Sequence, residues 1–167
     1  MVNRKTLNIV LKVIAIFLVA VLVKLGFYRE DFFVEMNKLI GFKENPEVGN
    51  WASEIVADYY DLTAAELYEV KWKMTIYFSI YFYLLSALIL FLFFRERKPL
   101  LYLLFFYLGI FILSAISYGS GFVTGNKEGA YLVARRLMGL LQSPYPFMLI
   151  FVLVLFKLDK MQVKMKE

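Results

Sequence analysis

Arg135 and Arg136 are the residues of this chain whose type and place best suit chemistry. A guanidinium presents a rigid fork of donors that fits a carboxylate or a phosphate. The pair lies in a helical pattern over 131–141 that leads into the last apolar run. Two readings stand side by side. The pair contacts headgroups or pairs with an acidic loop, or it forms a binding site for an anion. Adjacent helical residues diverge by about 100°, so at most one of the two is expected to face a given cavity. Gln142 and Pro144 follow, with Pro146 behind them. These prolines predict a kink whose freed backbone groups are satisfied by neighbouring helices. The alternative is an unwound segment lining a polar cavity. The predicted binding set is therefore Arg135, Arg136, Gln142 and Pro144.

Other chemistry is excluded by composition. Cys and His are both zero. That removes thiol nucleophiles, His–Asp pairs and the usual zinc and haem ligand sets. There is no phosphate-binding glycine loop, dinucleotide fingerprint or nucleophile elbow. Glu54, Asp58 and Asp61 can share a helical face but lack the spacing of a calcium loop. They read as a solvated acidic face. With Trp51 and Tyr59, Glu54 and Asp58 form the surface expected to face a partner. No metal, no cofactor and no catalytic residue is expected.

The elements that carry these residues follow from hydropathy. Apolar residues make up 61% of the 167 and aromatics 19%. A soluble chain of this size is nearer 45–50% apolar. Crossing a bilayer takes about 20 mostly apolar residues, and four segments qualify, near 7–28, 72–94, 99–118 and 137–156. Lys12 and Lys24 fall near the ends of the first, where their stems can snorkel. Its apolar run is too long for a signal peptide and no A-x-A site closes it, so it reads as an uncleaved anchor. The fold class is all-α: a single integral membrane domain over 1–167, a four-helix bundle with short extracytoplasmic helices.

Charge sets the orientation. Arg4 and Lys5, then Arg95, Arg97 and Lys98, then Lys157, Lys160, Lys164 and Lys166 must share one side. The positive-inside rule makes that side the cytoplasm and places both termini there. The outer loop 29–70 holds ten acids against three basic residues, a formal −7, within an overall +5. Residues 31–40 put Phe32, Phe33, Met36, Leu39 and Ile40 at helical spacing, with Gly41 as a stop. Asn50 is placed to cap a short helix carrying Trp51, Ile55 and Tyr59. Thr63 and Glu66 fit a capping box, from which one helix runs to Phe94. Gly119, Gly121, Gly125 and Gly129 predict a turn-rich start to 119–136, with positive φ at Gly125-Asn126. Nothing supports nucleic-acid binding, and no acid lies within a span as a proton relay needs.

The string Tyr131-Leu-Val-Ala-Arg135-Arg136-Leu-Met-Gly-Leu-Leu-Gln142-Ser-Pro144, with the apolar run to Phe156, resembles the "RRF-x-x-x-P" approach to the last helix in small exosortase F-associated bacterial membrane proteins. The turn Phe93-Phe94-Arg95-Glu96-Arg97-Lys98 is similar too. Such proteins accompany exosortases, membrane cysteine transpeptidases that process C-terminal sorting signals. Exosortase itself is excluded, because it needs Cys and His. The resemblance implies a non-enzymatic accessory subunit of protein sorting or export in the bacterial inner membrane. Its expected partners are membrane lipids and another integral membrane protein. The alternative is a stand-alone lipid- or anion-handling membrane protein or enzyme that uses an outer site at Arg135 and Arg136.

Overall fold

The computed structural model describes residues 4–49 and 53–164 and contains five α-helices and two short 3₁₀ helices. They are α1 (Arg4–Glu44), α2 (Ala64–Phe94), α3 (Arg97–Thr124), α4 (Lys127–Leu141) and α5 (Tyr145–Lys164). The 3₁₀ helices are Pro46–Val48 and Glu54–Tyr59.

α1 is one helix of 41 residues, about 61 Å long at 1.5 Å per residue. The expected division into a span and a separate amphipathic helix is overturned. The Tyr28-Arg29-Glu30-Asp31 junction holds no glycine or proline, so nothing ends the helix there. It also passes Gly41 and stops only at Asn45, which Pro46 holds at φ −141° and ψ 88°. The apolar face over 31–40 is as expected: Phe32, Phe33, Met36, Leu39 and Ile40 are buried. It packs on protein, with Phe32 stacked edge-on to Tyr59 at 6.0 Å and tilted against Phe78 at 6.0 Å.

The 3₁₀ helix Glu54–Tyr59 corrects the predicted loop helix. It is kinked at Val56, at φ −114° and ψ 17°, where the side chain is fully buried; Tyr59 is half-buried and Ile55 exposed. Its cap position is Ser53, whose N–H donates to Glu35 Oε2 at 2.7 Å. Asn50 and Trp51 lie outside the described residues.

α2 begins and ends as predicted. Thr63 Oγ1 accepts from the Glu66 N–H, and Glu66 Oε2 accepts from the Thr63 N–H at 2.9 Å. Arg95 closes the helix in the left-handed region at φ 53°.

α3 runs six residues beyond the predicted limit of 118, to Thr124. Gly119 and Gly121 are helical rather than turn residues. At Gly121 a Cβ would sit 2.6 Å from the Cβ of Ala130, so the glycine permits α3 and α4 to cross closely. The turn is Gly125, at φ 73°, and Asn126, whose Oδ1 accepts from the Gly129 N–H at 3.0 Å.

The predicted last span is two helices. α4 and α5 meet at an angle of 58° around residues 142–144. Pro144 has no N–H for the Leu140 carbonyl and its ring would clash there. Ser143 Oγ donates to that carbonyl instead, at 2.6 Å. The Tyr107 hydroxyl serves the Leu141 carbonyl at 3.0 Å. The Pro144 carbonyl starts α5 by accepting from the Met148 N–H. Pro146 occupies the first turn of α5, where no intrahelical N–H is needed.

α1, α2 and α3 are long and apolar enough to cross a membrane, and α4 with α5 supplies a fourth crossing if the bent pair is one span. The most apolar stretches of the three are only 11%, 28% and 11% buried. Their side chains face outward, as a lipid-facing surface requires.

Candidate functional site

The polar centre of the molecule is a cavity of about 650 Å³ where α1, α2, α3 and α4 diverge. Its position follows from three attachments. Tyr107 and Ser114 of α3 donate to the Leu141 and Ala134 carbonyls, which fixes α4 along α3. The α1–α2 pair is joined by the Phe32, Phe33 and Phe78 cluster. Gln142, at the break, ties the two halves together: its Oε1 accepts from Arg29 Nε at 3.0 Å. Its Nε2 donates to the Thr75 carbonyl at 3.1 Å. Gln142 is 2% exposed and forms the polar floor.

Four cations line this space: Arg29 from α1, Lys71 from α2, and Arg135 and Arg136 from α4. Glu30 is the lone acid among the lining residues. Arg29 packs its guanidinium over the Phe33 ring at 4.8 Å. It also lies against α4 at Gly139, where a Cβ would be 3.6 Å from its Nη2. Lys71 donates to Asn37 Oδ1 and stands 5.8 Å from the Tyr68 ring. Among the described residues, none of the four cations lies within 4 Å of a carboxylate. Arg135 and Arg136 make no hydrogen bond among those residues either. Glu30 acts on Arg29 more strongly than Arg135 does, and the Arg135 charge also reaches Lys71. Like charges gathered between apolar walls focus a positive potential there.

Three predicted site residues therefore converge, and one stands beside them. Arg135, Arg136 and Gln142 line the cavity. Pro144 packs below it against Gly26, where a Cβ would sit 3.4 Å from its Cδ. The expectation that only one arginine could face a cavity is overturned, because this cavity wraps around α4 from Tyr131 to Gln142. Of the two, Arg135 is the one whose charge acts on Arg29 and Lys71.

The predicted partner face lies elsewhere. Glu54 and Asp58 are exposed on the 3₁₀ helix, and Tyr59 packs inward on Phe32. Burial, then Asp58 and Tyr28, raise the Tyr59 phenol above its ordinary pKa. Trp51 is outside the described residues.

Arg29 and Lys71 were not singled out from the sequence as site residues. Their signal is weak but real: each is a cation on a helix flank at the edge of an apolar run. What hides it is that α1 looks finished at residue 28, so Arg29 reads as loop.

No family model matches this chain, and comparison with curated proteins and with solved structures found no match.

Proposed function

We propose that this chain is a multi-pass protein of a bacterial cytoplasmic membrane that binds an anionic group, phosphate or carboxylate, in the cavity between Arg29, Lys71, Arg135 and Gln142. The observation that carries this reading is the convergence of four cations from three helices on one space with a single acid, Glu30. Arg135 and Arg136 are exposed and have no carboxylate partner among the described residues, so their forks are free to give an anion two-point recognition.

In this reading α4 and α5 make the fourth crossing, and the short α2–α3 turn with Arg95, Arg97 and Lys98 lies in the cytoplasm. The cavity then opens on the outer face, beside the acidic segment. Both termini lie inside.

The reading is tested with purified protein in an uncharged detergent. Binding of anions, both soluble and lipid-borne, is followed by the thermal unfolding midpoint. An anion that binds raises the midpoint, and Arg135→Gln together with Lys71→Gln abolishes the rise. If no phosphate- or carboxylate-bearing compound of either kind raises it, the reading fails.

A second reading rests on the loop. Glu35 pins Ser53 and Val56 is buried, so the 3₁₀ helix is a firm platform presenting Glu54 and Asp58. Such a platform suits an accessory subunit that docks another integral membrane protein, as in exosortase-linked sorting. Mild-detergent purification with mass spectrometry tests it. A stoichiometric membrane partner lost on Glu54→Lys plus Asp58→Lys supports it, and a partner-free particle overturns it.

A further inference from the structure

Depth within the bilayer narrows the ligand. Thr75, whose carbonyl holds Gln142, stands about 28 Å along α2 from Phe94 at 1.5 Å per residue. That is close to the roughly 30 Å of a hydrocarbon core. Along α3, Tyr107, which reaches the Leu141 carbonyl, is about 15 Å from Arg97, and Ser114, which reaches the Ala134 carbonyl, is about 25 Å from it. The floor therefore lies inside the core, and the cations above it approach the boundary on the side away from the Arg95 turn. Lys71 is one helical turn beyond Thr75 on α2, and Arg135 is about 10 Å above Gln142 along α4. This is the layer of lipid phosphates, and Trp72 marks it as an aromatic anchor would.

The walls are the second observation. Val34, Phe111 and Leu132 line the cavity and keep 46%, 57% and 46% of their surfaces exposed. Each is thus shared between the cation site and the apolar exterior. A soluble anion gains nothing from such a rim, whereas acyl chains lie along it with their head among the cations.

Charge is the third. Four cations and one acid leave a formal +3. A phosphodiester carries one negative charge. A phosphomonoester carries about 1.5 to 2 at pH 7.

We infer that the occupant is a membrane lipid with a phosphomonoester or diphosphate head, its phosphate between Arg29, Lys71 and Arg135 and its chains along Phe111 and Leu132. This rests on the anion-binding reading above and adds the tail and the charge.

The test compares ligands that differ in acyl chains and in phosphate charge. In a Trp51→Phe background Trp72 is the sole tryptophan and reports from the cavity wall. Dihexanoyl phosphatidic acid, dihexanoyl phosphatidylglycerol, glycerol 3-phosphate and pyrophosphate are titrated in uncharged detergent, with the unfolding midpoint as a second readout. Phosphatidic acid is expected to saturate at a concentration at least tenfold below that of the other three. Arg135→Gln weakens it about tenfold, and Lys127→Gln, a cation outside the cavity, leaves it unchanged. Equal binding of glycerol 3-phosphate or pyrophosphate overturns the lipid assignment and leaves the anion reading standing. Equal binding of phosphatidylglycerol overturns the phosphomonoester preference. Equal weakening by Lys127→Gln makes the response one of surface charge and overturns the site. Silence toward all four in both readouts overturns this inference, and the anion reading falls with it only if carboxylate compounds are silent too.

Discussion

Arg29 Nε donates to Gln142 Oε1 at 3.0 Å, joining residues 113 positions apart in the chain. The bond links α1 to the break between α4 and α5, and the same amide reaches α2 through the Thr75 carbonyl. One neutral side chain thereby holds three elements around a cavity whose charged lining is four cations and Glu30. A carboxylate at this position would neutralise Arg29 permanently; the amide orients it and leaves its charge for a ligand.

Gln142→Glu is therefore expected to keep the fold and lose the anion. The new carboxylate pairs with Arg29 but offers the Thr75 carbonyl no donor, so the unfolding midpoint in detergent should fall modestly while the fold is kept. Anion binding should fall at least tenfold. An unchanged affinity would show that Arg29 is not part of the binding charge.

Gln142→Leu removes both hydrogen bonds from a buried site. The Arg29 guanidinium, half-buried, loses its oriented acceptor. A cost of about 2 kcal/mol is expected, the usual penalty for a buried polar group left unpaired. Denaturant unfolding in mixed micelles measures it. A loss below about 0.5 kcal/mol would mean that water replaces the amide.

Gly121 and Gly119 make a matched pair on α3. A methyl group at Gly121 would press on the Ala130 Cβ, whereas at Gly119 it meets open space. Gly121→Ala should cost about 1–3 kcal/mol by forcing α3 from α4. Gly119→Ala should be neutral or gain up to about 1 kcal/mol from helix propensity. Equal effects at both positions would refute the close crossing.

Tyr107→Phe deletes the hydroxyl that serves the Leu141 carbonyl at the end of α4. The ring still packs on Tyr83 at 5.2 Å. About 1 kcal/mol should be lost. Hydrogen exchange at Gln142 and Ser143 should rise while the first turn of α5 is unaffected.

Thr63→Ala breaks the capping box of α2, at an expected cost of about 1 kcal/mol. The effect should be local. Faster exchange at Glu66 and Leu67, with ligand affinity unchanged, is the expected result.

Local signals were legible wherever a short stretch of chain decides the outcome. The Thr63–Glu66 box, the end of α2 at Phe94 and the positive φ at Gly125 all depend on residues close in sequence. The buried face of Phe32, Phe33, Met36, Leu39 and Ile40 was legible too, because helical periodicity is local. Helix limits were not. Gly41, Gly119 and Gly121 carry stop or turn propensity, but helix continues through each of them. At Gly121 the neighbouring helix explains this, because packing against Ala130 outweighs a penalty of about 1 kcal/mol.

By itself, then, the sequence determined that the chain is helical, apolar enough for a membrane, and without thiol or imidazole chemistry. It also nominated Arg135, Arg136 and Gln142. Composition and periodicity are properties of neighbouring residues, and they suffice for those conclusions. Only the tertiary structure decided what surrounds the arginines. Arg29 and Lys71 enter the same cavity because α1 continues unbroken past Tyr28 and because Pro144 turns α4 by 58° from α5. Such a meeting of side chains from distant segments depends on helix length, bend and packing together. No local pattern encodes it.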